Sequence, residues 1–195
     1  PDEVLDDLLA ALPEDRIVVL DEAYADYAAP PDRVRESPAP RLARHPNLAV
    51  LRTFSKAGGL AGMRIGYCLA DPRIIAAIHS VQPPFPLPAI AIAAALAALG
   101  DQPAIAARAA RGAEERARLA AGLAALGLPV AESSANFVWL PVAAAAEPIT
   151  RHLAAAGIAA RCFAGEGLRI TTGTAAATDA VLAAMADWHA AADRR

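Results

Sequence analysis

Lysine is almost missing from this chain. Of 195 residues 18 are lysine or arginine, yet Lys56 is the only lysine and the others are all arginine. A lone amine in such a background points to chemistry that a guanidinium cannot perform, such as imine formation or proton transfer; taken alone, it is equally compatible with chance. Cysteine is scarce too, with only Cys68 and Cys162, which fits two free thiols in a reducing compartment. No Cys/His cluster has the spacing of metal ligands, so no metal site is expected. The formal net charge of -3, with both signs mixed along the chain, lacks the basic footprint that nucleic acid or an anionic membrane would require. The N-terminus has no basic segment followed by an apolar run, so cytoplasmic residence is expected. Long apolar runs are missing as well. Residues 83–100 carry no charge, but Pro83, Pro84, Pro86 and Pro88 break the first part. The helix predicted over Ala89–Leu99 falls short of the ~20 residues that span a bilayer and reads as a buried helix.

What is present is an alternation of strand and helix patterns, which predicts α/β architecture. Short apolar runs at Ile17–Leu20, Leu48–Thr53 and Ile65–Ala70 read as strands, the first buried on both faces. Helical spacing covers Val4–Leu12, with Asp2 as its cap. Ala28–Pro40 reads as an exposed loop. Asp71-Pro72 has the form of an N-cap with proline in the first turn. A long helix from about Pro103 to Leu126 ends at Gly127. Beyond it lie strands at Phe137–Leu140, Ile158–Arg161 and Leu168–Thr171, with helices over Glu147–Ala156 and Ala176–Ala191. This pattern divides the chain into 1–101 and 102–195.

Two polar segments stand where predicted strands end, the place at which open α/β sheets bind ligands. The first is Asp21-Glu22-Ala23-Tyr24. Its Asp21 carboxylate could pair with a protonated ring nitrogen, and Tyr24 could reach the same ligand; Asp21 alone also reads as a helix cap. The second is the stretch from Arg52 through Lys56 to Tyr67. Thr53, Ser55 and Arg64 surround Lys56 with two hydroxyls and a guanidinium, a set suited to a phosphate. Gly58, Gly59 and Gly62 permit tight turns and close approach to a ligand. A solvated glycine-rich loop remains the plain alternative.

The Asp-x-x-Tyr element followed by Ser-Lys-x-x-Gly-Leu-Ala-Gly-x-Arg-x-Gly-Tyr resembles the core of fold-type I aminotransferases that depend on pyridoxal 5′-phosphate (PLP). The stretches Asp21–Tyr27 and Arg52–Tyr67 are most similar to histidinol-phosphate aminotransferase. Ser134–Val138 and Gly167–Thr174 agree with it. The resemblance implies a partial PLP-dependent transferase fold of type I: the C-terminal part of the cofactor-binding large domain over 1–101 and a small C-terminal α/β domain over 102–195. It implies that Lys56 holds PLP as a Schiff base and moves the substrate proton. Asp21 would keep the pyridine nitrogen protonated, and Tyr24 would hydrogen-bond the phenolic oxygen. Ser55 and Arg64, with Thr53 beside them, would bind the phosphate. Arg169 would clamp the substrate carboxylate, with Arg161 toward a substrate phosphate. Asn136 is expected in a structural role, and His45, His79, His152 and His189 on the surface.

The implied reaction is transamination of histidinol phosphate with 2-oxoglutarate, in histidine biosynthesis. The implied partners are small amino-acid and keto-acid substrates and, in the full-length protein, a second copy as a homodimer. An amino-acid phosphate decarboxylase or another aminotransferase has a similar C-terminal half, so the substrate stays open. The resemblance also implies that the chain is a fragment. The glycine turn that cradles the phosphate, the aromatic stacked on the ring and an asparagine beside the phenolic oxygen would lie outside it. A chain inactive without that N-terminal half is the non-enzymatic alternative.

Overall fold

The apolar run of the first predicted strand folds one step later than its pattern, as β1 (Val18–Asp21), so that the carboxylate of Asp21 belongs to the strand itself. The computed structural model describes residues 2–13, 15–28 and 37–192; of the loop expected over Ala28–Pro40, residues 29–36 lie outside them, and Ala28, Ala39 and Pro40 belong to helices. Contacts divide the chain into two compact units, 1–106 and 107–195, so the division falls inside a helix.

In the first unit α1 (Asp2–Ala11) precedes β1, and Asp2 is the first residue of that helix, not a cap outside it. Two short helices, α2 (Ala25–Ala28) and α3 (Ala39–Arg44), lead to β2 (Leu48–Thr53) and β3 (Gly66–Ala70). The sheet has the order β1-β2-β3. Strand β1 runs parallel to β2 with Asp21 opposite Leu51, whereas β3 returns antiparallel with Arg52 opposite Tyr67 and Thr53 opposite Gly66. Leu48 and Val50 of the central strand are buried and pack with Leu9 of α1. The strand is thus apolar where it enters the sheet and polar where it leaves, which fixes the end at which ligands meet it.

Helix α4 (Pro72–Val81) starts as its sequence predicts: the Asp71 carboxylate accepts the Arg73 N–H at 2.9 Å, with Pro72 in the first turn. Helix α5 (Ala89–Gly100) corrects an expectation. It is not buried all round. Only Ala91 and Ala95 are buried, against Phe54 and Ile65, while Ile90 is 67% and Leu96 65% exposed. The small alanine side chains let the helix come close to Phe54, and the branched residues occupy the opposite face.

Helix α6 (Gln102–Ala125) leads into the second unit, followed by β4 (Phe137–Leu140), α7 (Ala146–Ala155), β5 (Arg161–Phe163), β6 (Gly167–Thr171) and α8 (Ala175–Ala192). The antiparallel sheet has the order β4-β6-β5. One of its faces, with Val138, Leu140, Leu168 and Ile170, is buried against Leu123, Leu153 and Met185 of the surrounding helices. The strand expected at Ile158–Arg161 forms only from Arg161. The preceding residues complete a cap: Gly157 sits at φ +76°, its N–H bonds Ala154 O at 3.0 Å, and the Ile158 N–H bonds Leu153 O at 2.9 Å. Ile158 is therefore held by the helix end and is not free to pair. Among the histidines, His152 and His45 are half-buried, not surface residues as expected. The His152 ring makes a 2.9 Å hydrogen bond with the Ala184 carbonyl and packs near Trp188, so it belongs to the α7–α8 seam. Among the described residues no single helix is long and apolar enough to cross a membrane.

Candidate active site

Parallel pairing brings the C-terminal ends of β1 and β2 side by side, and both polar segments start there. Asp21 ends β1, and its carboxylate accepts the Ala23 N–H at 2.9 Å. This bond turns the chain toward Tyr24. On the neighbouring strand, Thr53 ends β2 and its hydroxyl accepts the Ser55 N–H at 3.0 Å, a turn that swings the chain out of the sheet just before Lys56. The Lys56 ammonium lies 5.0 Å from the centre of the Tyr24 ring, within cation–π range. Thus the amine and the phenol, far apart in sequence, meet at the ends of adjacent strands.

The loop after Lys56 is tightly folded. A Cβ on Gly58 would stand 2.7 Å from the Phe54 carbonyl oxygen, and Gly59 adopts φ +74°. Both positions need glycine, whereas a Cβ on Gly62 would meet nothing. The loop then closes in a 3-10 turn, Ala61–Met63, in which the Met63 N–H donates to the Leu60 carbonyl at 3.0 Å and Arg64 is the C-cap. Arg64 sits at φ 52°, ψ 44°, a left-handed conformation that costs a branched or long side chain energy. Its guanidinium donates to Ala61 O at 2.8 Å and lies 3.5 Å from the Ser55 hydroxyl. Backbone strain is thereby spent on placing a cation beside a hydroxyl.

The donor set can be tested against PLP on these observations. A carboxylate suits a protonated pyridine nitrogen, a phenol suits the ring oxygen, and an amine suits the aldehyde carbon. A hydroxyl and an exposed guanidinium held together suit a phosphate. The residues fit. Lys56 would hold the aldehyde carbon, Asp21 the nitrogen, Tyr24 the phenolic oxygen, and Ser55 and Arg64, with Thr53 shaping their turn, the phosphate.

Sequence inspection assigned no role to Glu22 and Arg52. The Arg52 Nε–H donates to the Glu22 carboxylate at 2.8 Å, with their side chains 13% and 20% exposed. A charged residue inside a predicted strand, beside another in the adjacent polar segment, was the available signal.

The second unit holds the other two candidates. Arg161 of β5 stands opposite Arg169 of β6, so both project from the same face of the sheet, the face opposite the core. Arg169 lies over the Phe137 ring at 5.2 Å and Arg161 over Phe163 at 4.9 Å. The Nε of Arg169 is buried and has no hydrogen-bond partner among the described residues. An unused buried donor on an aromatic-backed arginine is what an anion site requires. Asn136 acts through its backbone, its carbonyl accepting the Thr172 N–H and hydroxyl at 2.9 Å each, in keeping with a structural role. Two hollows of about 380 and 570 Å³ also lie in this unit and include none of the candidate residues.

Comparison with known proteins adds independent findings. A family model described as aminotransferase class I and II matches residues 1–187. An aromatic amino acid aminotransferase of Corynebacterium jeikeium (strain K411) is 43% identical over 187 residues, a span of 92% of this chain and 49% of that protein. Another from Rhodococcus jostii (strain RHA1) is 42% identical over 179 residues, again 92% and 49%. A histidinol-phosphate aminotransferase from Sinorhizobium meliloti, solved in complex with pyridoxal 5′-phosphate, superposes with a TM-score of 0.83 at 34% identity, covering 95% of this chain and 53% of that one. The chain spans about half the length of the curated relatives it matches.

Proposed function

This chain belongs to the class I and II aminotransferases and has the fold-type I architecture of PLP-dependent enzymes; from that premise we propose that the whole protein transfers an amino group between a small amino acid and a keto acid, with Lys56 as its catalytic residue. The observation that carries this reading is the meeting of the Lys56 amine with the Tyr24 phenol at the ends of parallel strands, next to the strained Arg64 and its hydroxyl partner. When bound, PLP supplies an electron sink for the electrons left when the substrate α-carbon loses its proton. Lys56 would take that proton from the α-carbon and deliver it to the carbon that carried the cofactor's aldehyde. Asp21 holds a proton on the ring nitrogen, Tyr24 orients the ring through its oxygen, and Ser55 and Arg64 anchor the phosphate. Arg169 binds the substrate's anionic group with its planar fork. The domain reading places these roles in a cofactor-binding part, 1–101, and a small domain, 102–195.

For the substrate, relatives above 40% identity named for aromatic amino acids favour an amino acid with an aromatic side chain. The reading from sequence alone, histidinol phosphate, keeps one specific observation in its favour. Arg161 and Arg169 stand opposite one another, and a phosphate dianion can engage two guanidiniums where a carboxylate needs one. Full-length protein assayed with 2-oxoglutarate and either phenylalanine or histidinol phosphate separates the two by the ratio of kcat/KM. Carbon dioxide release from an amino-acid phosphate without any keto acid would turn the reading to the lyase. If glutamate leaves the spectrum of protein-bound PLP unchanged, the transamination reading fails. The same reading places the protein in the cytoplasm as a homodimer. Val81, Phe85, Ile90 and Leu96 offer exposed apolar surface for association, and light scattering of the full-length protein tests it.

A further inference from the structure

We propose that the Glu22–Arg52 ion pair is a positioning clamp that sets the distance between the two cofactor-holding loops, so that Glu22 and Arg52 are positioning residues for PLP. This rests on the reading that Asp21 and Lys56 hold the cofactor. Glu22 follows Asp21 directly, and Arg52 precedes Thr53, the residue that turns the chain toward Lys56. The bond between them therefore ties the residue just after β1 to the penultimate residue of β2.

Glu22 is fixed twice to β2, through two successive residues. Its N–H donates to the Leu51 carbonyl at 3.0 Å, extending the parallel ladder past the end of β1, and its carboxylate receives the Arg52 Nε–H at 2.8 Å. Its own carbonyl accepts the Ala25 N–H at 3.1 Å, which starts the turn that carries Tyr24. Arg52 in turn sits mid-sheet, opposite Tyr67 on β3. It is thus anchored in a strand paired on both sides and cannot follow the loop if the loop moves. Asp21 and Tyr24, by contrast, sit at the end of β1 and in the turn after it. The clamp adds a charged side-chain tie to the backbone bond between Glu22 and Leu51 that joins this turn to β2.

Simple stabilisation explains the pair less well. Half-buried charges lose hydration, and such pairs are often no more stabilising than apolar residues of the same size; their better-attested use is to fix one geometry. Here the geometry fixed is that of a carboxylate and a phenol relative to an amine, and a misplacement of about 1 Å among such groups is costly to binding and catalysis.

The test uses the full-length protein stripped of cofactor and titrated with PLP, with Glu22→Gln and Arg52→Lys. Each is expected to weaken PLP binding about tenfold and to shift the pH midpoint of the visible absorption band. Thermal unfolding of the cofactor-free protein should stay as in the wild type. Wild-type affinity and band in both variants overturn the proposal. So does a lowered unfolding temperature with the band unmoved, which would make the pair a structural brace. If Glu22→Gln does not fold, Arg52→Lys is judged by the same two readouts; failure of both to fold also overturns the clamp. Asp21→Asn separates this from the reading beneath it. If that variant binds PLP with unchanged affinity and band, the site assignment itself fails; if it is altered while Glu22→Gln is not, only the clamp fails.

Discussion

The two units solve burial differently. The second gathers Leu119, Leu123, Leu140, Ile149, Leu153 and Leu168 into one cluster of almost fully buried side chains between a sheet face and three helices. The first has two smaller clusters, one resting largely on alanines, and leaves Val19, Phe85, Ile90 and Leu96 exposed. Yet the first holds the lysine, the strained arginine and the paired strand ends. A closed core makes a rigid carrier for the proposed anion-binding face, whereas the proposed chemistry sits on a sheet with much apolar surface uncovered. Clustered apolar surface of this kind suits contact with another protein segment.

The contrast can be broken most severely at Lys56. Lys56→Ala is expected to lower transamination by the full-length protein by about 10³-fold or more, and borohydride should then trap no PLP on the chain; undiminished turnover would move the chemistry out of the first unit. Next comes Arg169→Ala, expected to cut kcat/KM about 100-fold through loss of a charged fork. Arg161→Ala should matter more for a phosphate substrate than for a carboxylate. In denaturant unfolding, Leu153→Ala in the closed core should cost about 2–5 kcal/mol, while Val4→Ala on the exposed side of α1 should change stability by no more than about 0.5 kcal/mol. Equal losses would erase the difference between the units.

The smallest effect concerns acid. The Thr178 hydroxyl, donating at 2.6 Å, and then the Arg118 guanidinium hold the Glu115 carboxyl below its ordinary range. A carboxyl lowered in the folded state stabilises the fold above its unfolded value, and that contribution disappears as pH falls through the lowered folded value. Glu115→Gln should therefore narrow the gap between neutral and acidic stability, seen as a flatter dependence of unfolding midpoint on pH below about 5.

Much of this was legible in the chain because the signals are local. The Asp71-Pro72 helix start, the glycine stop after α6 and the strands Leu48–Thr53 and Phe137–Leu140 follow from capping chemistry and apolar runs. The polar residues around Lys56 were legible because they follow a strand. What escaped was tertiary. The exposed side of α5 could not be seen, since an uninterrupted apolar helix looks buried whether or not anything covers it. Ile158 looked like strand until the cap on α7 claimed its N–H. Nor does spacing reveal that Arg52 reaches Glu22, or that Arg161 faces Arg169, because both depend on strand register.

Arg64 has a consequence for how this protein can be improved. Its left-handed backbone would be easier for glycine or asparagine. A search for heat-resistant variants would therefore reward replacing it, and each such gain would remove the guanidinium beside Ser55. On the proposed role of Arg64 in holding the PLP phosphate, durability and cofactor retention pull in opposite directions at this one residue, so selection for the first alone should drift toward a sturdier protein that binds PLP less tightly.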